Sequence, residues 1–157
     1  MQQKITPENI SGLVVGEGCF YAESCSDSKY RLGWRIRPAF CIEMRAEESE
    51  VLEVVRSTLG CGSVYQLDFG RYSGYENRGW VPHAKYRVSR LADLHACVVP
   101  FFKRHPLFGR KALAFGHFSE LVDMLRAGVH RTPDGLKSAK SVAALLREHN
   151  RRGLPRG

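Results

Sequence analysis

The chain has 157 residues, 43% hydrophobic and 25% charged, the profile of one globular domain able to bury a core without disulfide or metal staples. Lys and Arg number 24 against 16 Asp and Glu, giving a net charge of +8 and a pI near 9.5, a balance that favours a polyanionic partner. No run of about 18 apolar residues occurs, and the opening MQQKITPENI lacks the basic-then-apolar pattern of a secretory signal, so neither a membrane span nor secretion is expected.

The first helix is short. Thr6 is its N-cap, Pro7 its first residue and Glu8 an acid in the first turn. Ile10, Leu13, Val14 and Val15 follow, interrupted by Gly12 and Gly16. Each helical glycine costs roughly 1 kcal/mol relative to alanine, so two of them predict a backbone pressed against something. Spaced four apart, they share a face that lets another backbone come close. Glu17 and Gly18 end the helix.

A hairpin follows, with strands over 19–24 and 34–44 and a polar loop over 26–33. In the second strand Trp34, Ile36, Pro38, Phe40 and Ile42 fall on one face, and Arg35, Arg37, Ala39, Cys41 and Glu43 on the other. Pro38 indicates an edge position or a bulge. Residues 47–59 read as an amphipathic helix stopped by Gly60 and Gly62. A second hairpin spans 63–69 and 80–89, in which Ala84, Tyr86 and Val88 alternate with His83, Lys85, Arg87 and Ser89. Helices are expected over 91–103, 109–127 and 136–149, with Thr132-Pro133-Asp134-Gly135 as a turn between the last two. Residues 1–149 form the single domain and 150–157 a flexible basic tail.

Helix, hairpin, helix, hairpin and helix, then extra helices, make an α+β domain of αββαββα order. Helices pack on one face of a four-stranded antiparallel sheet. The other face carries Arg35, Arg37, Lys85 and Arg87, and suits either a DNA groove or plain solvent. Five scattered cysteines without a Cys-x-x-Cys pair read as free thiols in a reducing compartment, not as a zinc site. The six histidines show no metal-ligand spacing.

The segment Ile10-Ser11-Gly12-Leu13-Val14-Val15-Gly16-Glu17-Gly18, continued by Cys19-Phe20-Tyr21, resembles the signature of the LAGLIDADG homing endonucleases. Phe40-Cys41-Ile42, Leu59-Gly60-Cys61-Gly62 and the run from His105 to Lys111 are similar to further segments of that family, so the likeness covers residues 10–124. One motif copy implies the homodimeric branch, with Gly12, Leu13 and Gly16 in the dimer interface. The resemblance implies metal-dependent cleavage of a long pseudo-palindromic double-stranded DNA site by an intron-encoded enzyme. The metal is Mg²⁺, with Mn²⁺ as a substitute, contacted at Gly16 and Glu17; no small-molecule substrate is expected. Glu17 and one of Arg110 and Lys111 are the implied catalytic groups, the register between the two basic residues being open.

The sequence departs from the family where Val15 replaces the signature's first acid and where Met44 stands in the region of a polar water-positioning residue. For DNA reading the expectation is Arg35, Arg37, Lys85 and Arg87, with Tyr21, Glu23, Tyr65 and His83 as neighbours, while Lys29, Arg31 and Arg71 reach outer base pairs or backbone. A non-cleaving nucleic-acid binder on the same scaffold, a splicing maturase or transcription factor, is the alternative. The implied location is a bacterial or archaeal cytoplasm, or an organelle matrix or stroma.

Overall fold

The computed structural model describes residues 4–67 and 81–152. Helix α1 (Pro7–Glu17) opens as a capping box: the Thr6 hydroxyl accepts from the Asn9 N–H at 3.1 Å and the Thr6 N–H donates to Asn9 Oδ1 at 3.0 Å. The chain then turns into β1 (Gly18–Ser26) and β2 (Trp34–Arg45), the latter leading through a short 3₁₀ turn (Ala46–Glu48) to α2 (Ser49–Leu59). Strands β3 (Ser63–Leu67) and β4 (His83–Val88) complete an antiparallel sheet of order β1-β2-β4-β3. The α+β expectation holds, with β2 and β4 in the middle.

Pro38 reconciles two requirements. Its strand is central, yet β4 ends at Val88 opposite Phe40. Pro38 therefore lies on a stretch of β2 paired with β1 alone, where a missing N–H is tolerated. The alternation in β2 is less clean than its polarity indicates, because Ala39 and Cys41 are buried on the charged face. Both are small and are flanked by larger neighbours, Tyr21 beside Ala39 and Arg87 beside Cys41.

Beyond the sheet, α3 (Leu91–Asp93), a π turn (Leu94–Val98) and α4 (Val99–Arg104) form one run of helix. Its wide turn is closed by the Val99 N–H on the Leu94 carbonyl. Pro100 follows directly; it has no N–H, and its ring crowds the carbonyl four residues back, which explains an opened turn there. Helix α5 (Gly109–Arg126) and helix α6 (Pro133–Arg152) end the described chain.

Two expectations are corrected at α6. The segment from Thr132 to Gly135 is its first turn rather than a separate turn, since the Gly135 N–H donates to the Thr132 hydroxyl at 3.1 Å and the Leu136 N–H to the Thr132 carbonyl at 2.8 Å. Gly135 is needed there because a Cβ would lie 1.7 Å from the Val129 carbonyl oxygen. The helix also runs on to Arg152, three residues into the segment expected to be a tail.

The core lies between sheet and helices. Phe20 of β1 stacks on Phe40 of β2 at 4.9 Å and meets Phe118 of α5 at 5.0 Å and Phe102 of α4 at 5.7 Å. Ile10 and Val14 place one face of α1 in the same cluster. Burying side chains of this size stabilises by about 1.5–3 kcal/mol each. A second cluster joins Leu121 and Leu125 of α5 to Ala139, Val142 and Ala143 of α6, fixing α6 along the sheet's β1 side.

Candidate nucleic-acid interface and active site

Cross-strand register decides which side chains share a face. Cys19, Tyr21, Glu23 and Cys25 of β1 stand opposite Cys41, Ala39, Arg37 and Arg35 of β2. On the other side of β2, Cys41 and Glu43 face Arg87 and Lys85, which in turn face Ser63 and Tyr65 of β3. The sheet thus gathers Tyr21, Glu23, Arg35, Arg37, Tyr65, His83, Lys85 and Arg87 on the surface away from the core.

Local contacts differ along this face. Arg37 is exposed. Arg35 is held, its guanidinium 3.5 Å from Asp27 and donating to Cys25 Sγ at 3.4 Å. His83 Nδ1 lies 3.2 Å from Glu43 Oε2. Burial raises the Tyr21 phenol above its ordinary value, partly offset by Arg87 and Lys85. Tyr65 is 39% exposed, which leaves a large flat side chain on the surface. In the β1–β2 loop, Lys29 is exposed, and Arg31 reaches the Arg131 carbonyl at 2.5 Å, so Arg31 is tied to the turn before α6. Arg71 lies outside the described residues.

The end of α1 adjoins this face. Glu17 is its last residue, exposed, with no hydrogen bond or ion pair among the described residues. The Lys111 ammonium donates to the Gly18 carbonyl, one residue on. Arg110 turns elsewhere, donating to the His149 carbonyl at 3.2 Å while His149 Nε2 meets the Arg110 carbonyl at 2.8 Å. Of the two basic residues left open by sequence, Lys111 stands beside Glu17. The Cys19 thiol is drawn down to about 7, first by its hydrogen bond to Cys41 and then by Lys111 and Lys85, against the opposing effect of burial. Cys41 is pushed up correspondingly.

Gly12 and Gly16 are exposed, and among the described residues a Cβ built on either meets nothing within 4 Å. This side of α1 is therefore left open within one chain. Leu13 beside them is half-buried against the core. The open strip of α1 leads directly to Glu17.

Sequence reasoning gave no role to Arg147, Asn150 and Arg151. They line one groove of about 750 Å³ with Gly16, Cys19, Tyr21, Arg110 and Lys111. The available signal was the spacing of Arg147 and Arg151, one turn apart on α6.

The family model described as LAGLIDADG endonuclease matches residues 10–122. Among curated relatives, "Probable intron-encoded endonuclease 2" of Neurospora crassa is 24% identical over 142 residues, 90% of this chain and 29% of the relative. "Probable intron-encoded DNA endonuclease 1" of Mycosarcoma maydis is 33% identical over 101 residues, 64% of this chain and 31% of the relative. The chain therefore spans under a third of the length of either. Among solved structures, "Crystal structure of a homing endonuclease, I-TnaI" superposes with a TM-score of 0.77 at 25% identity, covering 96% of this chain and 99% of that one. "I-SmaMI bound to uncleaved DNA target in the presence of Calcium ions" superposes with a TM-score of 0.81 at 22% identity, covering 92% of this chain and 46% of that one. With the motif, the sheet and the family model in agreement over most of its length, the chain belongs to the LAGLIDADG endonuclease family.

Proposed function

We propose that this chain is a site-specific DNA homing endonuclease that works as a homodimer and hydrolyses both strands of a long pseudo-palindromic site. The observation that carries the reading is Glu17, an exposed carboxylate without a partner among the described residues, at the end of a helix whose glycines leave one side open. Packing α1 against its copy about a twofold axis brings the two Glu17 side chains together beside two basic sheets.

Two facing carboxylates repel unless a cation lies between them. Among the described residues no three His, Cys, Asp or Glu side chains converge in one chain, so each copy offers Glu17 and needs the other. The donors fit Mg²⁺: a carboxylate oxygen and the last-turn carbonyls of α1, Gly16 among them, are hard oxygen ligands at the negative end of a helix. Bound there, Mg²⁺, or Mn²⁺ in its place, supplies an activated water and neutralises charge on the phosphate. Lys111, tethered to Gly18, holds a positive charge beside that position and stabilises the same developing charge. Arg110, engaged by His149, is left a positioning role.

Arg35, Arg37, Lys85 and Arg87 read base edges in the major groove, where arginine pairs bidentately with guanine and Glu23 accepts from cytosine. Lys29 and Arg31 contact the backbone. Two features of the similar proteins support this reading: their names include intron-encoded endonucleases, and one was solved on DNA with calcium.

Selection from a randomised duplex library tests the proposal. One preferred sequence, cut on both strands to leave 3′ overhangs in Mg²⁺ and left whole in EDTA, is expected. Sequence-specific retention without scission at any Mg²⁺ or Mn²⁺ concentration favours a non-cleaving binder, a maturase or a transcription factor.

A further inference from the structure

The groove beside Glu17 has a composition the sheet face does not explain. It is lined by Gly16, Cys19 and Tyr21 together with Arg110, Lys111, Arg147 and Arg151, and among the described residues no Asp or Glu lines it. Arg147 and Arg151 are exposed and make no hydrogen bond or ion pair among the described residues. Four residues apart on α6, they stand one turn above one another, about 6 Å along the axis.

This end of α6 is held in place. Asn150 Nδ2 donates to the Phe20 carbonyl at 2.8 Å, tying the helix to β1. The reciprocal contacts of His149 and Arg110 tie it to the start of α5. Basic residues near a helix C-terminus offset its dipole by roughly 0.3–1 kcal/mol. That does not account for two further cations from the start of α5 in the same concavity, where like charges repel. A polyanion removes the conflict.

We propose that Arg147 and Arg151 grip phosphates of the DNA backbone next to the cleavage site, so that the groove extends the DNA-binding surface past β1. The inference rests on the DNA-binding reading above. Its occupant is the sugar–phosphate strand, not base edges, because two long cations in an open groove present point charges rather than a groove-reading array. Each chain adds two phosphate contacts, four per dimer. The contacts hold the backbone at the groove mouth shared with Gly16, one residue from Glu17.

Affinity for a labelled mixed-sequence duplex, measured across a KCl series, tests it. Each phosphate contact adds about −0.9 to the slope of log K against log salt, so the double variant Arg147→Gln/Arg151→Gln is expected to flatten the dimer's slope by about 3.6. Arg151→Gln alone is expected to remove about half of that. Lys137→Gln, on the same helix but outside the groove, serves as the control. Base preference in library selection stays as in the wild type. If the wild type binds with a steep slope and the double variant keeps it, the groove does not hold phosphate while the DNA-binding reading stands. A wild-type chain whose affinity ignores salt overturns both. Thermal unfolding of each variant separates a lost contact from a lost fold.

Discussion

The Lys111 ammonium is bonded to the Gly18 carbonyl, joining the start of α5 to the end of α1 across 93 residues of chain. The contact fixes a positive charge one residue from the carboxylate that ends α1. It also explains why Lys111 is half-buried while its neighbour Arg110 is exposed.

Replacing that charge is the first prediction. Lys111→Met keeps the length of the side chain and removes the ammonium. Single-turnover cleavage is expected to fall by about 100-fold, the size of losing one preorganised electrostatic contact, with duplex affinity changed far less. Lys111→Arg should recover part of the rate. Equal rates for wild type and Lys111→Met would remove Lys111 from the reaction.

Gly12→Leu separates folding from assembly. A Cβ at Gly12 meets nothing among the described residues, and leucine is a better helix former than glycine by roughly half a kcal/mol or more, so the monomer should fold at least as well. The same side chain blocks the approach of a second α1. Light scattering is expected to report a monomer where the wild type is a dimer; an unaltered dimer mass rejects α1 as the interface.

Much of this arrangement was legible in the sequence. Thr6-Pro7-Glu8 marked the start of α1 because a cap, a proline and an acid agree on one position. The same signal stands at Thr132-Pro133-Asp134, but Gly135 gave it the look of a turn. The glycine is there for space against the Val129 carbonyl, a contact set by how α6 follows the preceding 3₁₀ turn (Val129–Arg131) and so absent from local sequence. Strand faces followed from alternation except at Ala39 and Cys41, whose burial depends on long neighbours in other strands. That Arg110 turns to His149, 39 residues away, while Lys111 meets the Gly18 carbonyl, could not be read from local sequence.

Gly135→Ala therefore should destabilise. The added carbon falls 1.7 Å from a backbone oxygen, and the helix start must shift, at a cost of about 1–3 kcal/mol. Gly116→Ala, in α5 with nothing within 4 Å, is expected to be neutral or stabilising by up to roughly 1 kcal/mol. Urea unfolding compares the two; equal midpoints would show that the α6 start yields freely.

Two cations in different places should fail in different ways. Arg37→Ala, on the exposed sheet face, is expected to relax base preference at one position of each half-site, at a cost of about 1–3 kcal/mol for the preferred sequence. Lys29→Ala, in the β1–β2 loop, should weaken all sequences alike and flatten the salt slope. Library selection on both variants distinguishes them; a base-specific loss in Lys29→Ala would reverse the assignment.

The decisive measurement is cleavage of the selected duplex by Glu17→Gln under saturating enzyme and Mg²⁺. Glutamine keeps the shape of the exposed side chain and removes its charge. The expected result is normal dimer mass, normal duplex affinity and no scission above background. Cutting by this variant at the wild-type rate would contradict the account.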